Sequence, residues 1–433
     1  MLKVGLVSLG CAKNLVDSEI ILGMFDQSGY ALVNDPEQAD IIVVNTCGFI
    51  ASSKEESIDT IFEMAAYKKK LIVTGCLVQR YYDQLKESLP EADLLVKLDD
   101  YPNLHKLIEQ LTNNGDKIAP FNPFKRVIST ESYSAYLRIS EGCDNRCSYC
   151  AIPLIRGPFR SRSYQDILKE ANILANKGVK ELVVISQDTT NYGKDLNEGH
   201  NIVSLLKGLL EIKQFVSIRL LYLYPDEVSD ELIALVRDKP RLAPYFDLPI
   251  QHASNRILKR MGRRSNKENI LSLVNKIRRE IPHAILRSTY IVGFPGESEE
   301  DFQELLDFTE EVQFNHLGVF AYSKEEDTPS YDFEAQIDEP TKKKRYEAIM
   351  ERQKKISYRN NRALVGRVMD GLIIGYDDKS KTYRVRTYFN APDGIDGNIT
   401  VTSSKKLTSG DVVKIRILAP FVYDLYAEII EDN

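Results

Sequence analysis

Three short apolar runs near the start of the chain each lead into a cysteine. "KVGLVSLG" (3–10) precedes Cys11, "DIIVVNT" (40–46) precedes Cys47 and "KLIVTG" (70–75) precedes Cys76. The runs have strand length and are almost continuously apolar. Between them, "SEIILGMFDQSG" and "SKEESIDTIFEMAAYKK" repeat apolar residues at intervals of three and four. Strand–helix–strand with strands apolar on both faces specifies a parallel α/β sheet. Ligands of open α/β sheets bind just beyond the carboxyl ends of the strands. The pattern therefore directs three thiols to one place, in a first domain spanning residues 1–120.

The polar stretch "NNGDKIAPFNPFKR" (113–126), punctuated by Pro and Gly, reads as a linker. A second alternating series follows, with apolar runs at 135–140, 181–186, 217–224, 245–250, 285–293 and 316–323. Helical patterns separate them, such as "SYQDILKEANILANKG" (163–178), where Ser163 suits an N-cap and Gly178 the C-terminal stop. Six strand–helix units predict a partial (β/α)6 barrel over residues 130–360, with its active site at the carboxyl ends of the strands. The charged helical stretch 339–361 closes it. Residues 362–433 change to short alternating runs separated by turn signals, and predict a small antiparallel β-barrel of OB-like size. The fold class is α/β with this third, all-β unit appended.

The chain has 433 residues and only six cysteines. Three disulfides are the arithmetic alternative, but no export signal or bilayer-length apolar run is present, so a cytoplasmic protein with reduced thiols is expected. The five histidines are scattered and form no ligand pair. The second cysteine triplet, Cys143, Cys147 and Cys150, lies in "EGCDNRCSYC" just after the first barrel strand. A [4Fe–4S] cluster usually takes four thiolates. Three leave one iron open to a reactant, as a catalytic zinc keeps one position free. A zinc site or thiols merely packed together remain alternatives on these residues alone.

"CDNRCSYC", with Tyr149 before its last cysteine, resembles the cluster motif of the radical S-adenosylmethionine (SAM) superfamily. The resemblance implies that the open iron chelates SAM, and that one electron cleaves the sulfonium to give a 5′-deoxyadenosyl radical able to break an unactivated C–H bond. It also implies SAM contacts from "ISQDT" (185–189), here Ser186 and Gln187, although the usual glycine-rich form is absent. Further contacts are implied from "RSTYIVGFPGE" (287–297), here Arg287, Thr289 and Gly293, and from Tyr149.

With Cys11, Cys47 and Cys76 as a second set of three, the whole chain resembles the methylthiotransferases. "SLGCAKNLVDSE" (8–19), "LLYLYPDEVSDELI" (220–233), "LPIQHASNRILKRMGRR" (248–264), "FAYSKEEDTPS" (320–330) and "APDGIDGNI" (391–399) are similar to the RimO branch, although Ala12 stands where that branch more usually has proline. The resemblance implies an auxiliary [4Fe–4S] cluster on the first triplet and a C-terminal TRAM domain. It implies methylthio insertion at the β-carbon of an aspartate in protein twelve of the small ribosomal subunit. The alternatives are the same chemistry on a tRNA adenosine, and a zinc-stabilised RNA-binding or assembly protein. An unidentified electron donor is required, and RNA contact through the TRAM domain is a further expectation.

Charge bears on the substrate. Residues 361–433 carry 10 Lys+Arg against 10 Asp+Glu, and residues 1–125 carry 12 against 18, within a net charge of −6. That balance does not favour a polyanion held through its phosphates and suits a basic protein better. Arg156, Arg160 and Arg162 read equally as groups steering SAM or substrate and as locally paired charges. Lys13 and Asn14 either polarise the auxiliary site or begin a helix. Asp393 and Asp396 either face a basic substrate or form a turn, and "KKKR" (342–345) reads as an exposed helix face.

Overall fold

The computed structural model describes residues 1–112, 117–197, 199–392, 394 and 396–430. Its first unit is a parallel sheet of β1 (Lys3–Ser8), β2 (Ala31–Leu32), β3 (Ile41–Thr46), β4 (Lys70–Gly75) and β5 (Leu94–Val96), in spatial order β2-β1-β3-β4-β5. Helices α1 (Ala12–Gln27), α2 (Ala51–Ala65) and α3 (Cys76–Ser88) follow β1, β3 and β4. Those three strands are neighbours, so the cysteines after them emerge side by side at one end of the sheet. Every residue of β3 is buried, which explains why its sequence does not alternate.

α1 departs from the usual surface helix, which keeps one polar face in water. Lys13, Asn14, Asp17, Ser18 and Glu19 are buried along with Val16, Ile20 and Ile21. The sheet covers one side of the helix and the next unit covers the other.

That unit contains β6 (Ser134–Arg138), the small hairpin β7 (Ser140–Glu141) with β8 (Arg160–Ser161), then β9 (Glu181–Ile185), β10 (Ser217–Leu220), β11 (Tyr245–Asp247), β12 (Ile285–Val292) and β13 (His316–Ala321). β6-β9-β10 and β11-β12-β13 are parallel ladders, and the Ile218–Leu242 bridge joins them. β6 and β13 are the outer strands, so this barrel is open along one side. The first unit covers the opening. α1 packs on β6, while Lys54 of α2 and Arg80 of α3 reach Glu325, beyond β13, at 3.0 and 2.8 Å.

Buried charge holds the near edge of this joint. Arg126 contacts Glu19 of α1 at 2.8 Å and Glu170, on a barrel helix, at 3.1 Å. Ser129 donates to Glu19 as well. Asp17 is shared by Arg138 at 2.6 Å and Arg156 at 2.8 Å. The stretch read as a linker is therefore docked over much of its length: Ile118 and Arg126 are buried, while residues 113–116 lie outside the described residues.

The helix Glu339–Arg362 leads to a closed barrel of β14 (Val368–Asp377), β15 (Thr382–Arg386), β16 (Ile399–Thr402), β17 (Val412–Pro420) and β18 (Leu425–Ile430), in order β14-β15-β16-β18-β17. The β16–β18 pair is parallel, where the sequence pattern predicts antiparallel pairing throughout. A ring of five strands cannot alternate direction all the way round, so at least one parallel pair is required for closure. This small barrel plugs the foot of the larger one. Arg219 donates to Thr387 O at 2.7 Å, Arg386 pairs with Glu181 at 3.0 Å, and His316 Nε2 meets Phe389 O at 2.8 Å. Asp396 is buried there, bonded to Tyr245 and 3.4 Å from Arg287, so it does not face a substrate. Asp393 lies outside the described residues.

Replacing Arg126 by Leu removes the only cation paired with buried Glu19 among the described residues and leaves Glu170 with Arg162 alone. Loss of about 3–5 kcal/mol is expected, read as a lower urea midpoint for the first unfolding transition. An unchanged midpoint would show that the seam does not hold the two units together.

Candidate active site

Cys11, Cys47 and Cys76 of the first unit and Cys143, Cys147 and Cys150 of the barrel line one cavity of about 440 Å³. None of the six is in a disulfide. The loops of the first triplet approach closely. Gly10 has φ +84°, and a Cβ there would stand 2.9 Å from Cys47 Cβ and 3.0 Å from its Sγ, so a side chain at this position would intrude on the thiol. Cys11 is the N-cap of α1 and Cys76 the first residue of α3.

Asn14 ties the three loops together. Its Nδ2 donates to Leu9 O at 3.0 Å and to Thr46 O at 2.8 Å, the residue before Cys47, while its Oδ1 accepts from the Cys76 thiol at 3.3 Å. The barrel loop is held as firmly. Ser148 N donates to Met261 O at 2.9 Å, and Cys143 N to Gly157 O at 3.2 Å.

Side-chain N–H donors reach three sulfurs among the described residues: Arg156 to Cys76 at 3.4 Å, Asn145 to Cys143 at 3.5 Å and Arg263 to Cys147 at 3.8 Å. Such bonds favour thiolate and tune the potential of an iron–sulfur centre. Burial pushes the Cys76 and Cys150 thiols up to about 12. Ligation there must be driven by the cation that displaces the proton. An all-sulfur donor set of this kind fits iron–sulfur chemistry. Among the described residues, no group of three or more His, Cys, Asp or Glu side chains is drawn together about a single ion, the two cysteine triplets included.

The implied SAM contacts divide. Tyr149, Gln187, Arg287 and Thr289 line the cavity. Gln187 Nε2 donates to Glu141 at 3.0 Å, while its buried Oε1 has no hydrogen-bond partner among the described residues, an acceptor suited to an ammonium group. Arg287 is held at 2.9 Å by Asp247. Ser186 is fully buried and bonded to Ser140, beneath the cavity wall rather than in it. Gly293 (φ +71°) instead packs on the helix Glu339–Arg362, where a Cβ would meet Lys342 Cγ at 2.3 Å. Its missing side chain makes room for Lys342.

Arg156 is a buried structural cation between Asp17, Asn14 and Glu141. Arg162 pairs with Glu170 at 2.6 Å, and Arg160 is exposed. Lys13 lies in the cavity wall, its Nζ 3.2 Å from the Tyr222 ring centroid, and burial holds its ammonium below the usual value. In "KKKR", Lys342 and Arg345 are buried and so do not share an exposed face. Sequence reasoning missed Tyr222 and Gln251, which line the cavity with φ of +62° and +73°. Non-glycine residues seldom adopt that backbone, and it gathers at functional sites. Their position just past the ends of β10 and β11 was the available signal.

A radical SAM enzyme is the class that this fold and this ring of thiols define. Residues 137–309 match the Radical SAM superfamily, residues 3–97 the Uncharacterized protein family UPF0004 and residues 365–430 the TRAM domain. The chain is 46% identical to the ribosomal protein uS12 methylthiotransferase RimO of Acetivibrio thermocellus, covering all of this chain and 99% of that protein. It is 48% identical to the protein of the same name from Clostridioides difficile, covering 99% of each. The chain belongs to the RimO family of ribosomal protein uS12 methylthiotransferases. Among solved structures it is similar in fold to the radical SAM methyltransferase TsrM of Kitasatospora setae, with TM-score 0.55, 15% identity and coverage of 76% of this chain and 74% of that one.

Asn14→Leu removes the amide that joins the three auxiliary loops. Alkylation of Cys76 in the reduced, iron-free protein should accelerate by roughly tenfold or more. An unchanged rate would show that the loops hold their positions without Asn14.

Proposed function

We propose that this chain inserts a methylthio group at the β-carbon of an aspartate in ribosomal protein uS12. The observation that carries the reading is the convergence of two three-thiol sets on one cavity, together with near-full-length identity to proteins named for that activity. In this reading Cys143, Cys147 and Cys150 hold a [4Fe–4S] cluster beside SAM, and Cys11, Cys47 and Cys76 hold a second, auxiliary one. When bound, these groups supply reductive cleavage of a sulfonium and the sulfur to be transferred.

The chain's own residues do the rest. Arg156, Asn145 and Arg263 donate to ligand sulfurs; Gln187 offers its free carbonyl oxygen to the amino group of SAM; Thr289 and Tyr149 line the space between the two sets. The domain division that accompanies this reading is 1–120, 130–360 and 362–433. No described helix is long and apolar enough to cross a membrane, and work in the cytoplasm, where ribosomes are, goes with the proposed substrate. The TRAM barrel is the proposed contact with ribosomal RNA or with the ribosome.

Anaerobically reconstituted protein should carry about eight irons; about four would remove the auxiliary cluster. Cys147→Ala should abolish SAM cleavage, whereas Cys47→Ala should retain some cleavage and lose transfer. Deleting the gene should remove one methylthio group from uS12, read by intact mass. Loss of a methylthio-adenosine from tRNA instead would move the proposal to the nucleic-acid substrate.

A further inference from the structure

Four cations line the thiol cavity: Lys13, Arg156, Arg263 and Arg287. Three are engaged. Arg156 is bonded to Asp17, Asn14 and Cys76. Arg263 donates to Pro249 O at 2.9 Å and reaches Cys147. Arg287 pairs with Asp247 at 2.9 Å and Asp396 at 3.4 Å.

Lys13 differs. It is 8% exposed, yet among the described residues its ammonium makes no hydrogen bond or ion pair, and its close contact is the face of Tyr222. A ring face is a weak substitute for the hydration that a buried ammonium has given up. A cation held this way, at the wall of a cavity, is arranged for an anion that arrives.

We infer that Lys13 binds the side-chain carboxylate of the substrate aspartate and so sets which carbon receives the methylthio group. The inference rests on the reading under Proposed function. Two features of the geometry favour this occupant. Lys13 is on the first turn of α1, two residues from Cys11, and so stands on the side of the cavity from which the sulfur would be delivered. The carboxylate carbon of an aspartate is bonded directly to its β-carbon, so gripping the carboxylate fixes the reacting carbon within one bond. The methionine carboxylate of SAM has the same chemistry, and the test separates the two.

The experiment uses reconstituted full-length protein and measures equilibrium binding of uS12 and of uS12 carrying asparagine at the target position, with SAM affinity measured in parallel. Wild type should prefer the aspartate form by roughly 10- to 100-fold, the range for a hydrogen bond to a charged group. Lys13→Met should bind both forms about equally, while Lys13→Arg, which keeps the charge, should recover most of the preference. Because the readout is a ratio, it survives a general loss of affinity or iron in the Met variant. An undiminished preference in Lys13→Met would overturn the assignment, as would a wild type with no preference. Weakened SAM binding with the preference intact would overturn it too and give Lys13 to SAM. A wild type that neither binds nor modifies uS12 would bring down the functional reading itself, and this assignment with it.

Discussion

The structure depends on one short segment of helix carrying buried carboxylates. Asp17 and Glu19 of α1 are removed from water and neutralised by Arg138, Arg156 and Arg126, groups that precede or belong to the barrel. Breaking a buried pair by removing one partner leaves a charge that nothing solvates, so the cost falls on docking rather than on either unit alone. The same helix begins at Cys11 and carries Asn14, which bonds the loops of the other two auxiliary thiols. One segment, residues 11–19, thus sets the positions of three thiols relative to one another and relative to the barrel. Arg156 makes the coupling direct. It follows the barrel's own cysteine loop, yet donates to the sulfur of Cys76.

Much of this was legible in the sequence, for identifiable reasons. The strand runs and the cysteines that end them are local signals, and the parallel-sheet rule carries the thiols to one edge without further information. The barrel strands were found for the same reason. What was not legible depended on contacts distant in sequence. Ser186 and Gln187 are adjacent residues of one run, but only Gln187 lines the cavity, because Ser186 is tied to Ser140 below it. Gly293 was implied as a SAM contact, and the space a side chain would fill there is taken by Lys342, some fifty residues later. Arg156 could be weighed only as steering group or paired charge, since its partners Asp17 and Asn14 lie in another unit. Asp396 was read as a turn or a substrate contact, and no local pattern reports that Tyr245 and Arg287 surround it.

The environment of the sulfurs is asymmetric. Cys76 is buried, Cys47, Cys143, Cys147 and Cys150 are half-buried, and Cys11 is exposed at the helix cap. Side-chain N–H groups reach Cys76, Cys143 and Cys147. The two triplets thus differ in access as well as in location, with the auxiliary set presenting Cys11 and Cys47 to the adjoining apolar space of about 830 Å³ that Phe49, Ile50, Phe320 and Tyr322 line. Cys11, Cys47 and Thr289 line both spaces.

The plug at the foot of the large barrel has a consequence for recognition. Ala391, from the small barrel, reaches far enough to line the thiol cavity itself, and Arg219, Arg386 and His316 clamp the segment around it. The small barrel is thus a cork seated in the vessel rather than an arm hung from it. Its outer surface thus stands at a fixed offset from the thiol cavity, set by Arg219, Arg386 and His316 rather than by the length of a linker.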